Sequence, residues 1–141
     1  MVSFTTAIKN GFKKAFDFSG RATRAEYWWW TLFELLVTAV LVILGSIVEK
    51  LFFGELNGNN VVFILGPYFI WCLIILIPCL SLKFRRLHDS GYSGWYLLWY
   101  LVPYIGAIPI FLATIGSSEH DNKYGPNPQN NVNTIVKTSN I

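Results

Sequence analysis

Charge is what this chain of 141 residues has least of: 13% of its positions are Asp, Glu, Lys or Arg, against about 25% in an ordinary globular domain. So few ionised groups could not cover a soluble surface, and with 53% hydrophobic and 17% aromatic residues the composition argues against a water-soluble fold. Cysteine is scarce as well. Cys72 and Cys79 fall in one apolar run, where they act as small hydrophobes and imply no disulfide framework. Two cysteines and two distant histidines, His88 and His120, give no metal-ligand spacing, and no cofactor is expected. Residues 1–26 are polar and basic, and the apolar segment after them lacks a small-residue cleavage pattern, which argues against a cleaved signal peptide.

Long apolar runs, by contrast, fill half the chain. A spanning helix needs roughly 20 mainly apolar residues, and three stretches qualify, over about residues 27–48, 61–82 and 95–116. The fold class expected is an all-α membrane protein, a bundle of three transmembrane helices preceded by an amphipathic interfacial helix. The membrane domain covers residues 1–128, and the Asn-rich segment 129–141 reads as a disordered polar tail. Cytoplasmic loops hold the excess of Lys and Arg. With the N-terminus inside, eight of the eleven basic residues and all four arginines fall on the inner side. Three crossings then place the C-terminus outside. Pro103, Gly106 and Pro109 interrupt the third stretch, so a re-entrant segment that returns the tail inside stands as the alternative.

Ahead of the first span, Phe4, Ile8, Phe12 and Phe16 recur every four residues, with Lys9, Lys13 and Lys14 on the remaining face. The pattern fits a helix in the inner interface, with its lysines toward anionic head groups. A short helix packed on the bundle fits it equally.

Two segments share that side and a common chemistry. Phe18-Ser-Gly-Arg-Ala-Thr-Arg-Ala-Glu-Tyr-Trp28 leads into the first span, and Arg85-Arg-Leu-His-Asp-Ser-Gly-Tyr-Ser-Gly-Trp95 joins the second to the third. A third motif, Asn122-Lys-Tyr-Gly-Pro-Asn-Pro128, follows the last span. In this order the three motifs resemble the DUF805 family of small bacterial inner-membrane proteins, over about residues 12–128. The resemblance implies an inner-membrane location and no particular biochemical activity.

The candidate site comprises Arg21, Arg24, Arg85, Arg86, His88 and Asp89. One reading makes the arginines topology anchors, with Asp89 capping the turn and His88 bonded to a carbonyl. Another gathers them into a basic pocket for an anionic lipid head group or a phosphorylated ligand, because planar guanidinium groups hold phosphate bidentately. A third has His88, polarised by Asp89, act as a general base, but adjacent residues rarely aim their side chains at one another. Glu34 is the one charge inside a predicted span, where a carboxylate is costly and seeks a partner. The leading expectation is a non-enzymatic accessory or interaction protein in contact with anionic lipid or a membrane partner. The alternatives are a homo-oligomeric transporter or channel with Glu34 facing its pore, and an enzyme acting on a lipid phosphate through His88. Nucleic acid is not an expected partner, since topology explains the basic residues.

Overall fold

The computed structural model describes residues 2–54, 62–101, 111–112, 114–116, 118 and 120–128. Among these, regular structure is helical: α1 (Phe4–Lys13), α2 (Arg24–Phe53), α3 (Val62–Asp89) and a 3-10 helix over Gly94–Leu101. The expected tail, residues 129–141, lies outside the described residues. At about 1.5 Å per residue, α2 and α3, of 30 and 28 residues, exceed the roughly 30 Å of a hydrocarbon core. Both are long and apolar enough to cross a bilayer. Leu35, Ile43, Phe69 and Ile70 are more than half exposed, which suits contact with lipid and not the core of a soluble domain.

The chain forms two compact units, residues 31–77 and residues 1–30 with 78–141. In the first, α2 and α3 touch backbone to backbone at Gly45. A Cβ added there would lie 2.7 Å from the Phe63 carbonyl oxygen and 2.9 Å from the Ile64 Cα, the close approach that small residues allow between membrane helices. Phe33 meets Trp71 edge to face at 5.8 Å. The Trp71 indole N–H, for which burial predicts an acceptor on another helix, has no hydrogen-bond partner among the described residues. Glu34 is half-buried. Glu49, just past the predicted first span, is 2% exposed and extends the set of buried charges beyond Glu34.

In the second unit α1 packs on the start of α2. Ser3 caps α1, its hydroxyl oxygen accepting from the Thr6 amide at 3.3 Å. The packed face is not the phenylalanine stripe. Ala7, Gly11 and Ala15 are buried, whereas Phe12 and Phe16 are 41% and 83% exposed. The Trp30 ring dictates this choice, because a Cβ on Gly11 would lie 2.1 Å from its Cζ3 atom. Phe4 and Phe12 then meet Trp29 and Trp30 edge to face, with ring centroids 5.7 and 5.1 Å apart. Ser81 of α3 ties the end of α1, its hydroxyl 2.8 Å from the Lys14 carbonyl and 2.7 Å from that of Asp17.

α3 runs past residue 82 to Asp89, so the connection expected between the second and third stretches shortens to a turn after it. The helix ends in a Schellman motif: Gly91, at φ +78°, donates to the His88 carbonyl at 3.1 Å and Tyr92 donates to that of Leu87 at 2.9 Å.

The two ends of the expected third crossing are both held at the end of α3. A Cβ on Gly94 would lie 2.1 Å from the Phe84 ring, and at the other end the Thr114 and Gly116 carbonyls accept from Arg86 at 3.0 and 2.5 Å. Phe84 and Arg86 are neighbours on α3, whereas a crossing would separate these ends by about 30 Å. The described ends of the stretch thus both lie against the end of α3. Residues 102–110, with Pro103, Gly106 and Pro109, lie outside the described residues.

A buried arginine cluster as candidate functional site

The turn Asp17–Gly20, the first turn of α2 and the last turn of α3 bring the predicted residues together. Asp17 organises the turn: its Oδ1 accepts from the Ser19 amide, the Ser19 hydroxyl and the Gly20 amide at 3.1, 3.0 and 3.2 Å. Partial burial pushes its carboxyl up, but these bonds and the Arg85 charge outweigh burial and hold it below the usual carboxylate range. Thr23 begins α2, accepting the Glu26 amide on Oγ1 at 3.2 Å. The spacing Thr23-x-x-Glu26 is that of a capping box. Here the Glu26 side chain instead meets Arg85 at 3.2 Å.

Asp89 is the centre of the cluster and is fully buried. It accepts from Arg21 Nε at 3.0 Å, from the Ser118 hydroxyl at 2.6 Å and from Arg86 Nη1. Further donors of Arg21, Arg24 and Arg86 reach main-chain carbonyls. Arg21 Nη1 bonds those of His120 and Gly125 at 3.0 and 2.8 Å, and Arg24 Nε bonds that of Gly116 at 2.7 Å. Arg86 bonds those of Ala22, Thr114 and Gly116. Buried guanidinium groups need their donors satisfied, and here they lace the segment before α2, the end of α3 and the tail into one body.

The tail motif supplies much of the lacing. Asn122 and Gly125 exchange backbone bonds at 3.2 and 2.9 Å, and Gly125 takes φ +124°, which favours glycine. Asn122 Nδ2 donates to the His88 carbonyl at 3.0 Å. Tyr124 stacks on the His88 ring, centroids 3.8 Å apart and planes 7° from parallel.

All six predicted residues thus meet. Arg24 is half-buried, and the other five are buried. His88 and Asp89 point to different partners, so the expected polarisation of one by the other is not formed. The carboxylates that pair the arginines are Glu26 and Asp89. Among the described residues no group of three or more His, Cys, Asp or Glu could hold a metal ion. Sequence reasoning missed Ser81, Ser118 and the carbonyls of residues 114–125, since a carbonyl acceptor leaves no mark in residue type.

The pattern of the family described as "Protein of unknown function (DUF805)" matches residues 15–126, which contain the whole cluster. The chain is similar to "Inner membrane protein YhaI" of Escherichia coli (strain K12), 34% identical over 119 residues that cover 83% of this chain and 90% of that protein. It is also similar to "Inner membrane protein YhaH" of the same strain, 30% identical over 118 residues, 83% of this chain and 91% of that protein. No solved structure matches.

Proposed function

The chain belongs to the DUF805 family, and from that premise we propose an integral inner-membrane protein without catalytic activity, whose arginine-laced cytoplasmic cap presents α1 to anionic lipid head groups. The inner-membrane location is carried by the relatives' descriptions together with two helices long enough to span. The lipid contact is carried by one observation: Lys9, Lys13 and Lys14 of the α1 segment are exposed beside Phe12 and Phe16, which are 41% and 83% exposed. Exposed lysines next to exposed phenylalanines suit the boundary between head groups and acyl chains. The packed face of Ala7, Gly11 and Ala15 fixes the helix in that position, so α1 is both docked on the protein and turned to the lipid.

In this reading both termini are cytoplasmic. The bonds from Arg21, Arg24 and Arg86 to residues 114–125 favour it, and so does the charge count. Ten of the eleven basic residues then lie inside, with only Lys50 outside. The engagement of the two acid–base candidates supports a role without catalysis: Asp89 is held by two arginines and a serine, and His88 is stacked on Tyr124.

Native mass spectrometry from mild detergent tests the lipid contact by counting phosphatidylglycerol retained per chain. Replacing Lys9, Lys13 and Lys14 together by Gln should lower the count and remove its dependence on salt. An unchanged count refutes the proposal.

A further inference from the structure

One arginine in the cluster is incompletely used. Arg85 is fully buried, and its Nη1 meets Glu26 at 3.2 Å. Its Nε and Nη2 have no hydrogen-bond partner. These two are not an arbitrary pair. They form one edge of the guanidinium plane, the two parallel N–H groups that match two oxygens of a carboxylate or phosphate. A buried donor without a partner costs about 1–3 kcal/mol, more when charged, so a complete edge left open calls for a ligand.

Two further observations point to an anion. The fully or nearly fully buried charges of the cluster are Arg21, Arg85 and Arg86 against Glu26 and Asp89, an excess of one positive charge, and half-buried Arg24 and Asp17 offset one another. Asp89 is shared by Arg21 and Arg86, and Asp17 accepts from Ser19 and Gly20, so no carboxylate bonds the open edge. One turn along α3 from Arg85, His88 Nδ1 is also buried without a partner. Both residues lie under the Asp17–Gly20 turn: the Arg85 Cδ is 3.6 Å from where a Gly20 Cβ would stand, and the His88 ring faces the backbone of Ser19 and Gly20.

We propose that the open edge of Arg85 is an oxyanion site that takes one phosphate group bidentately on Nε and Nη2, under the Asp17–Gly20 turn. A tetrahedral phosphate fits better than a planar carboxylate because its further oxygens can reach His88 Nδ1, which donates when that nitrogen carries the proton. Ser19, at the crest of the turn, is exposed, and the turn is held mainly by the Asp17 carboxylate and the Ser81 hydroxyl, so entry requires only this turn to lift. The phosphate is either a free ion or a phospholipid head group. The site is separate from the α1 lysines, so loss of lipid contact at α1 leaves it standing.

The chain has four arginines, so the wild-type protein labelled with nitrogen-15 in a zwitterionic detergent shows four Arg Nε resonances, which the Arg85→Lys variant assigns. Titration with inorganic phosphate should move the Arg85 resonance far more than the other three if the ligand is free phosphate. If it is a lipid head group, inorganic phosphate leaves the resonance in place, and nanodiscs containing phosphatidylglycerol move it relative to nanodiscs of phosphatidylcholine alone. Arg85→Lys keeps the charge beside Glu26 but has no paired edge, and should weaken the response of the melting temperature to the active ligand at least tenfold in concentration. Silence of the Arg85 resonance toward both probes overturns the site. So does an Arg85→Lys variant with wild-type affinity. Should that variant not fold, the wild-type titration decides alone, the moving resonance being assigned through Arg21→Lys, Arg24→Lys and Arg86→Lys.

Discussion

Replacing Asp89 by Asn removes one negative charge while keeping the volume, and its cost follows from what the carboxylate holds. Asp89 is fully buried and accepts from Arg21 Nε at 3.0 Å, from Ser118 Oγ at 2.6 Å and from Arg86. An Asn retains one acceptor oxygen and turns an NH2 toward a guanidinium. Two buried cations then lose their counter-charge, and breaking a buried pair in this way costs about 3–5 kcal/mol. Set against a total stability of about 5–15 kcal/mol, that is a large fraction. For a chain of this size it corresponds to a fall in melting temperature of roughly 10–20 °C. Intrinsic fluorescence suits the assay, because the buried Trp30 reports on the same unit. Arg21→Met completes a double-mutant cycle. If the two side chains act as a pair, the double variant should be more stable than the sum of the single losses predicts, by about 1 kcal/mol or more. A melting temperature for Asp89→Asn within about 2 °C of wild type, or strict additivity in the cycle, would refute the reasoning.

Gly11→Leu places a side chain where even a Cβ would lie 2.1 Å from the Trp30 ring; α1 should detach from α2, and limited proteolysis should then cut near Asn10 at a rate the wild type does not show. Asp17 has a depressed folded pKa, so the stability it contributes is present above its unfolded value of about 4 and is lost as pH falls through the folded value. Asp17→Asn should therefore flatten the fall in melting temperature between about pH 5 and pH 3, and an unchanged acid limb would count against the turn as drawn. Gly45→Leu meets backbone at 2.7 and 2.9 Å, which cannot yield as a side chain can, and should lower the melting temperature more than Gly66→Leu, where a Cβ meets nothing within 4 Å.

How much of this was legible in the sequence depends on which property carried each feature. The long helices were legible because lipid exposure demands long apolar runs, yet hydropathy ends where the hydrocarbon ends and not where the helix does. That is why α3 continues through Lys83, Arg85 and Arg86 to Asp89. The meeting of Arg21, Arg24, Arg85 and Arg86 was legible from their common side of the membrane. Their use was not, since the Gly116, His120 and Gly125 carbonyls that they bind belong to the backbone and any residue type could supply them. The exposed stripe of α1 was legible because Phe12 and Phe16 mark it by their apolarity, but its packed face was not, since the flat Trp30 ring needs the missing side chain of Gly11. The 95–116 stretch met the length criterion for a crossing, but that criterion measures solubility in lipid and is blind to direction. What hydropathy does not show is that Gly94 lies against Phe84 and Gly116 against Arg86.

Those ties make a single claim that a reporter can read: the segment before α2, the end of α3 and the Asn122–Gly125 turn form one body on one side of the membrane. Fusions of alkaline phosphatase and of green fluorescent protein after residue 128, with matching fusions at the N-terminus, test it in living cells. Fluorescent protein that glows and phosphatase that stays inactive are expected at both ends. An active phosphatase at the C-terminus with an inactive one at the N-terminus would contradict it.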